Sequence, residues 1–262
     1  MTGTDLLHVA GLALLVLLVP VTLVAAALAI VRLDRRITRT RVAAFRAVAG
    51  AMGLEFRPQG IDGCWGDLSP FDLFQHGRTR WFRNVLHGVG RGVEVCAFDY
   101  QYTVGSDRHP QCRHQTAVGF RTPGLVLPDF NLRLRAWGDA AGPWAPALTR
   151  EVLAGYRDIA FEDRAEFSTH YRLTGTDEAA VRRSLPGERL DYLAAHPALN
   201  VEVHGDRVLV YGAAVRATPE AIRRLIDAGF DVLAWLRPGD PADGDDHPGQ
   251  PGHPGYAGRT NG

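Results

Sequence analysis

Leu199-Asn200-Val201-Glu202-Val203-His204-Gly205-Asp206-Arg207-Val208-Leu209-Val210-Tyr211 alternates apolar and polar side chains on both sides of a Gly-Asp pair. Successive residues of a strand point to opposite faces of a sheet, so alternation of this kind marks two half-buried strands. Gly205-Asp206 is short enough to join them only as a two-residue hairpin turn. This hairpin predicts antiparallel pairing, and the sequence around it extends that prediction in both directions.

Downstream, Thr218-Pro219 opens a last helix, with Ile222, Leu225, Ile226, Leu233 and Leu236 on one apolar face. Upstream, residues 158–162 and 170–174 read as strands, and Thr176 and Asp177 supply an N-cap for a helix ending at Leu185. Pro186-Gly187 stops that helix, and residues 188–195 form another short one. In the first half, residues 54–57 and 71–75 are short strand candidates. Residues 83–87 and 92–103 form a hairpin around Gly88-Val89-Gly90-Arg91-Gly92, and 115–121 and 130–135 continue the series, punctuated by Pro123, Gly124 and Pro128. Strands grouped with strands predict an α+β fold, a mainly antiparallel β domain with a few helices over residues 54–237, with a sub-division near residue 150.

Ahead of this domain, residues 6–31 contain no charged side chain and are dominated by Leu, Val, Ala and Ile. About 20 apolar residues in helix cross a hydrocarbon core, so residues 1–31 are expected to be a transmembrane anchor, with Pro20 tolerated inside it. Residues 32–53 carry a helical apolar spacing at Ile37, Phe45, Val48 and Met52 and form a basic juxtamembrane helix broken at Gly53. The flank before the apolar run has Asp5 and no Arg, whereas Arg32, Arg35, Arg36, Arg39, Arg41 and Arg46 follow it against Asp34. Positive residues stay on the cytoplasmic side, which places the N-terminus outside and the domain in the cytoplasm of a single-pass cell-membrane protein. Ala27-Leu28-Ala29 matches a small-x-small cleavage pattern, the rival signal-peptide reading, but the basic n-region is missing and the run is long for such a segment. Arg32, Arg35, Arg36 and Arg39 are candidates for contact with anionic lipid headgroups.

The whole chain balances 29 basic against 29 acidic residues, which gives no global pull toward nucleic acid. All the basic residues are Arg, so catalytic and phosphate-loop lysines are excluded. Cys64, Cys96 and Cys112 are odd in number and irregular in spacing, which favours reduced thiols over a disulfide framework. Residues 238–262 hold five Pro and seven Gly and no aliphatic core former, so a disordered tail is expected.

In chain order, Phe71-Asp72-Leu73-Phe74, Asn84-Val85-Leu86-His87-Gly88, Phe98-Asp99-Tyr100-Gln101-Tyr102, Gln115-Thr116-Ala117-Val118, Leu127-Pro128-Asp129-Phe130 and Glu166-Phe167-Ser168-Thr169-His170-Tyr171 stand out. This series resembles a group of bacterial single-pass membrane-anchored proteins of unknown function, with FDY-x-Y, QT, LP-x-F and FS-x-x-Y segments. The resemblance spans residues 54–236. It implies the anchored topology and the fold, and assigns no catalytic residue.

Candidate chemistry is sparse. His109, Cys112 and His114 offer imidazole and thiolate at ligand-like spacing, but a structural zinc site needs four ligands and no second half-site follows. Gly88-Val89-Gly90-Arg91-Gly92 runs into a strand rather than a helix N-terminus, so it reads as a turn and not a phosphate cradle. Phe98, Tyr100 and Tyr102 share one pleat face and Asp99 and Gln101 the other; with Gln115 and Thr116 on a neighbouring strand, Asp99 could serve as a general base in a polar cleft. Glu166, Ser168 and His170 alternate as if on one strand, but without a nucleophile elbow. The expectation is a membrane-tethered cytoplasmic binding or scaffold domain without catalytic activity or cofactor, whose partners are the bilayer and an unidentified protein. The alternative is a membrane-associated enzyme with a cleft near Asp99 and Gln115.

Overall fold

A computed structural model describes residues 3–75, 77–135, 155–195, 198–212 and 216–237, with side chains from Leu18 onward. The helix α1 spans Gly3–Met52, followed by strands β1 Glu55–Gln59, β2 Arg78–Gly90, β3 Val93–Val104, β4 Gln111–Arg121, β5 Phe130–Leu134 and β6 Arg157–Asp158. Helix α2 (Ala165–His170), β7 (Tyr171–Gly175), helices α3 (Glu178–Ser184) and α4 (Gly187–Ala195), strands β8 (Leu199–His204) and β9 (Arg207–Gly212) and helix α5 (Pro219–Leu236) complete the order. The strands form a single sheet, β1-β2-β3-β4-β9-β8-β5-β7-β6, in which neighbours run antiparallel. The α+β reading therefore holds. The sub-division near residue 150 and the tail over 238–262 fall outside the described residues.

The hairpin at residues 199–211 forms as read, with Val201 opposite Val210 and Val203 opposite Val208. The β2–β3 turn is Arg91-Gly92, both at positive φ (51° and 75°), the backbone that a two-residue turn needs to match the twist of its strands. Three local readings are corrected. The strand expected at residues 158–162 is confined to Arg157–Asp158. Residues 72–75 are a buried 3-10 helix, Asp72–Gln75, rather than a strand. Residues 165–170 are helical, so Glu166, Ser168 and His170 do not alternate along a strand; β7 begins only at Tyr171.

Alternation along β3 and β4 gives the sheet two distinct faces. Val95, Ala97 and Asp99 on β3 stand opposite Phe120, Val118 and Thr116 on β4. This face is covered by α5 and the last turns of α1, from Arg41 to Met52, which also pack on each other. Phe45 and Ala49 of α1 and Ile222, Ile226, Phe230 and Leu233 of α5 are buried there, and the Phe120 and Phe230 rings lie 4.9 Å apart. The other face carries Cys96, Phe98 and Tyr100 and is covered by residues 60–75, a strap that buries Trp65, Phe71 and Phe74. Phe74 meets the Tyr100 ring edge-on at 5.1 Å and Phe98 at 5.9 Å.

A disulfide between Cys64 of the strap and Cys96 of β3, with Cα atoms 5.6 Å apart, joins strap to sheet. This corrects the expectation of reduced thiols. Counting and spacing cysteines along a chain says nothing of which ones a sheet register will bring together. Cys112 remains free and exposed.

Helix α1 stops at Gly53, which takes a left-handed φ of 68° while its N–H and that of Leu54 return to the Gly50 and Ala49 carbonyls. Pro20 lies inside the helix, and the Thr22 hydroxyl donates to the Leu18 and Val19 carbonyls beside it. Among the described residues no helix is long and apolar enough to cross a membrane. The side chains of residues 6–17, part of the expected anchor, lie outside the described residues.

Candidate functional site

The most concentrated polar constellation is built on Asp99, which β3 presents to the helix-covered face. Arg41 of α1 reaches it in a bidentate pair, Nε to Oδ2 and Nη2 to Oδ1, both at 2.5 Å. Asn84 Nδ2 donates to Oδ2 at 2.8 Å and the Thr116 hydroxyl to Oδ1 at 2.8 Å. The guanidinium also donates to Thr116 Oγ1 at 2.9 Å and, through Nη1, to the Ala217 carbonyl at 2.6 Å, just ahead of α5. Asn84 arrives there because β2 carries a bulge: Arg83 faces Asp99 and Leu86 faces Ala97, so an extra residue is accommodated, with Asn84 at φ 51°. Asn tolerates that left-handed backbone better than most residues.

Arg41 and Asp99 are 7% and 3% exposed. A carboxylate offers about four lone-pair sites, and four donor contacts fill those of Asp99. It has no open site to take a proton from a substrate. Gln115 is equally buried, with its side-chain amide Nε2 donating to the Gly212 carbonyl at 3.0 Å. The expected polar cleft with Asp99 as base is thus replaced by an interior clamp that ties α1 and the start of α5 to the sheet. The physical reason is that α1 covers this face, which no pattern within β3 reveals.

The remaining candidates are dispersed. Cys112 and His114 alternate on β4, with Sγ 3.5 Å from Nε2, and the Arg216 guanidinium lies 2.9 Å from His114 Nδ1. Burial, and then the Arg216 charge, hold the His114 pKa below its usual value. His109 sits in the turn before β4, and among the described residues no group of three or more His, Cys, Asp or Glu is placed to hold a metal ion. Ser168 Oγ donates to the Phe161 carbonyl. Arg32, Arg35, Arg36 and Arg39 are exposed on α1.

A second interior cluster was not anticipated. Glu202 of β8 accepts the Leu73 N–H at 3.1 Å and the Tyr211 hydroxyl at 2.6 Å, and Arg133 of β5 pairs with buried Asp72. These contacts hold the strap's 3-10 helix onto the sheet. Glu202 falls on the polar side of the alternation at 199–211, where a solvent-facing residue is the default reading; only the strap makes that side interior. Arg41 left a fainter trace, as the one charged residue in the apolar helical series Ile37, Arg41, Phe45, Ala49.

Beside the clamp, a cleft of about 440 Å³ opens between α4, α5 and the ends of β8 and β9, with Leu193, Leu199, Ala221, Leu225 and Trp235 among its walls. Arg216 and Arg224 are its charged lining residues, and among the described residues no carboxylate lines it.

No known protein family matches the chain, and no curated protein matches it. Among solved structures, the crystal structure of the mycobacterial trehalose monomycolate transport factor A, TtfA, is similar, at 17% sequence identity and a TM-score of 0.49. The match covers 78% of this chain and 98% of that one. A likeness at that level transfers neither a site nor an activity.

Proposed function

We propose that this chain is a membrane-tethered binding domain rather than a catalyst, with α1 serving as both anchor and rigid arm. The observation that carries this reading is the continuity of α1 from Gly3 to Met52. Its C-terminal turns are fixed in the core through Arg41 and Phe45, while Leu18, Leu23, Ile30 and Val31 leave the domain 45–68% exposed. An apolar face of this kind left in water calls for a partner phase. The described stretch from Leu18 to Val31 is by itself shorter than the about 20 residues a bilayer demands. The uncharged run reaches that length through residues 6–17 of the sequence.

Arg32, Arg35, Arg36 and Arg39 then stand at the headgroup level, each attracting anionic lipid by about 1 kcal/mol. Their excess over Asp34, against no Arg on the other flank, orients the domain toward the cytoplasm, where its exposed surface is available to a protein partner. The saturation of Asp99 supports the non-catalytic part of the reading. A second orientation, with the domain outside the cytoplasm, is favoured by the Cys64–Cys96 disulfide, since such bonds persist mainly in oxidising compartments.

One experiment addresses both points. Cells producing the chain are treated with a membrane-impermeant maleimide, and membranes are then washed with alkaline carbonate. Retention of the protein through the wash, with Cys112 labelled only after lysis, is the expected result. Release by carbonate would refute the anchor, and labelling in intact cells would establish the second orientation.

A further inference from the structure

We infer that the cleft between α4 and α5 binds the acyl chain of a single-chain anionic amphiphile, with Arg216 and Arg224 receiving its headgroup. The volume, about 440 Å³, lies in the range of small-molecule sites. It is too small for the two long chains of a phospholipid, which commits the site to one chain. The walls are aliphatic, from Leu193 and Leu199 on one side and Ala221, Leu225 and Ala228 on the other, with Trp235 beside them. The small side chains of α5 create the opening: Ala221 and Ala228 are two turns apart on the same helix face, where larger residues would close it.

The charge at the site has one sign. Among the described residues, Arg216 and Arg224 line it without a carboxylate in the wall, and neither makes an ion pair. Arg216 is partly buried, and its Nε is enclosed without a hydrogen-bond partner while Nη2 is engaged by His114. A buried guanidinium N–H left unpaired is costly, and a carboxylate or phosphate group supplies the missing acceptor with matching geometry. Burial also lowers the Arg216 pKa, and the Asp99 carboxylate, which does not line the cleft, opposes that shift.

On the membrane-tethered reading, an amphiphile from the bilayer would approach along α1. A second hollow, of about 320 Å³ and lined by Leu33, Ile37, Arg41 and Pro219, lies where α1 meets the start of α5. Ala217 and Ala221, which flank Pro219 in sequence, line the cleft itself. The delivery route rests on the membrane-tethered reading above; the binding site does not.

The test uses the full chain in phosphatidylcholine bilayer discs and a long-chain carboxylic acid carrying a photoreactive diazirine. Labelled peptides are mapped, and dodecanoate, dodecanol and dodecyltrimethylammonium compete. Saturable labelling within α4 and α5 is expected, with dodecanoate competing at least about tenfold better than dodecanol, a difference that one charge-assisted contact can supply. Ala228→Phe and, independently, Ala221→Phe should each remove most of that labelling. Arg216→Gln with Arg224→Gln should bring dodecanoate and dodecanol to parity. Thermal unfolding of each variant reports that it remains folded. Labelling confined to α1, or undiminished in both folded Phe variants, would overturn the site. Equal competition by dodecanol or by the cationic amphiphile in the parent protein would overturn the anionic ligand. A chain released from membranes that still shows this labelling would sink only the tether.

Discussion

Replacing Asp99 by Ala removes the acceptor of four hydrogen bonds at once and leaves the Arg41 guanidinium buried with the Ala217 carbonyl and Thr116 hydroxyl as its remaining partners. Breaking a buried ion pair from one side costs about 3–5 kcal/mol, because the surviving charge keeps its desolvation penalty without its counter-charge. Asn84 loses its acceptor as well, while holding a left-handed backbone that the contact helps to justify. The lower end of that range applies if Arg41 can swing toward solvent, and the upper end if Phe45 and Ala49 hold α1 in place. The assay is urea unfolding of the full chain in bilayer discs, together with hydrogen exchange of residues 41–52. Exchange there should accelerate before the sheet unfolds, since the clamp is the polar tie between α1 and β3. The paired variant Arg41→Met, Asp99→Leu should recover at least half of the loss, because two apolar side chains remove the desolvation penalty altogether. A loss below about 1 kcal/mol for Asp99→Ala, well under the cost of a broken buried pair, with unchanged exchange over residues 41–52, would refute the clamp.

Three further outcomes follow from other contacts. Cys64→Ser, or reduction of the parent, should cost about 2–4 kcal/mol through release of the loop closed by the disulfide, read as a drop in Tm that Cys112→Ser does not reproduce. Gly229→Ala places a methyl group into the Phe120 ring and should destabilise by about 1–3 kcal/mol or more, measured by denaturant midpoint; an unchanged midpoint would contradict the α5–β4 packing. His114 has a folded pKa below its usual value, so the unfolded chain takes up a proton first as the pH falls. Its stability contribution is complete above about pH 6.5, the ordinary imidazole value, and declines as pH drops toward the folded pKa; His114→Gln should flatten stability in that window.

The legibility of this sequence differs sharply between local and long-range features. The hairpin at 199–211, the α5 face and the Asp177 cap, whose side chain accepts the Ala180 N–H, were all readable, because each depends on residues within one or two turns of each other. The run Glu166 to His170 was misread because a short helix leading directly into β7 shares the polar–apolar rhythm of a strand over so few residues. Residues 72–75 failed for the same reason: Phe71, Leu73 and Phe74 look like strand residues until the strap buries all three.

By itself the sequence determined the α+β class, the antiparallel pairing and the uncharged stretch at residues 6–31, since periodicity and charge are properties of neighbours along the chain. Tertiary structure alone decided that Asp99 is a tie and not a base, that Glu202 lies inside, and that Cys64 meets Cys96. Each of those outcomes turns on which distant segment covers a given face of the sheet. A strand's alternation specifies that it has two faces, but the burial and the chemistry of each face are set by the helix or strap that lands there.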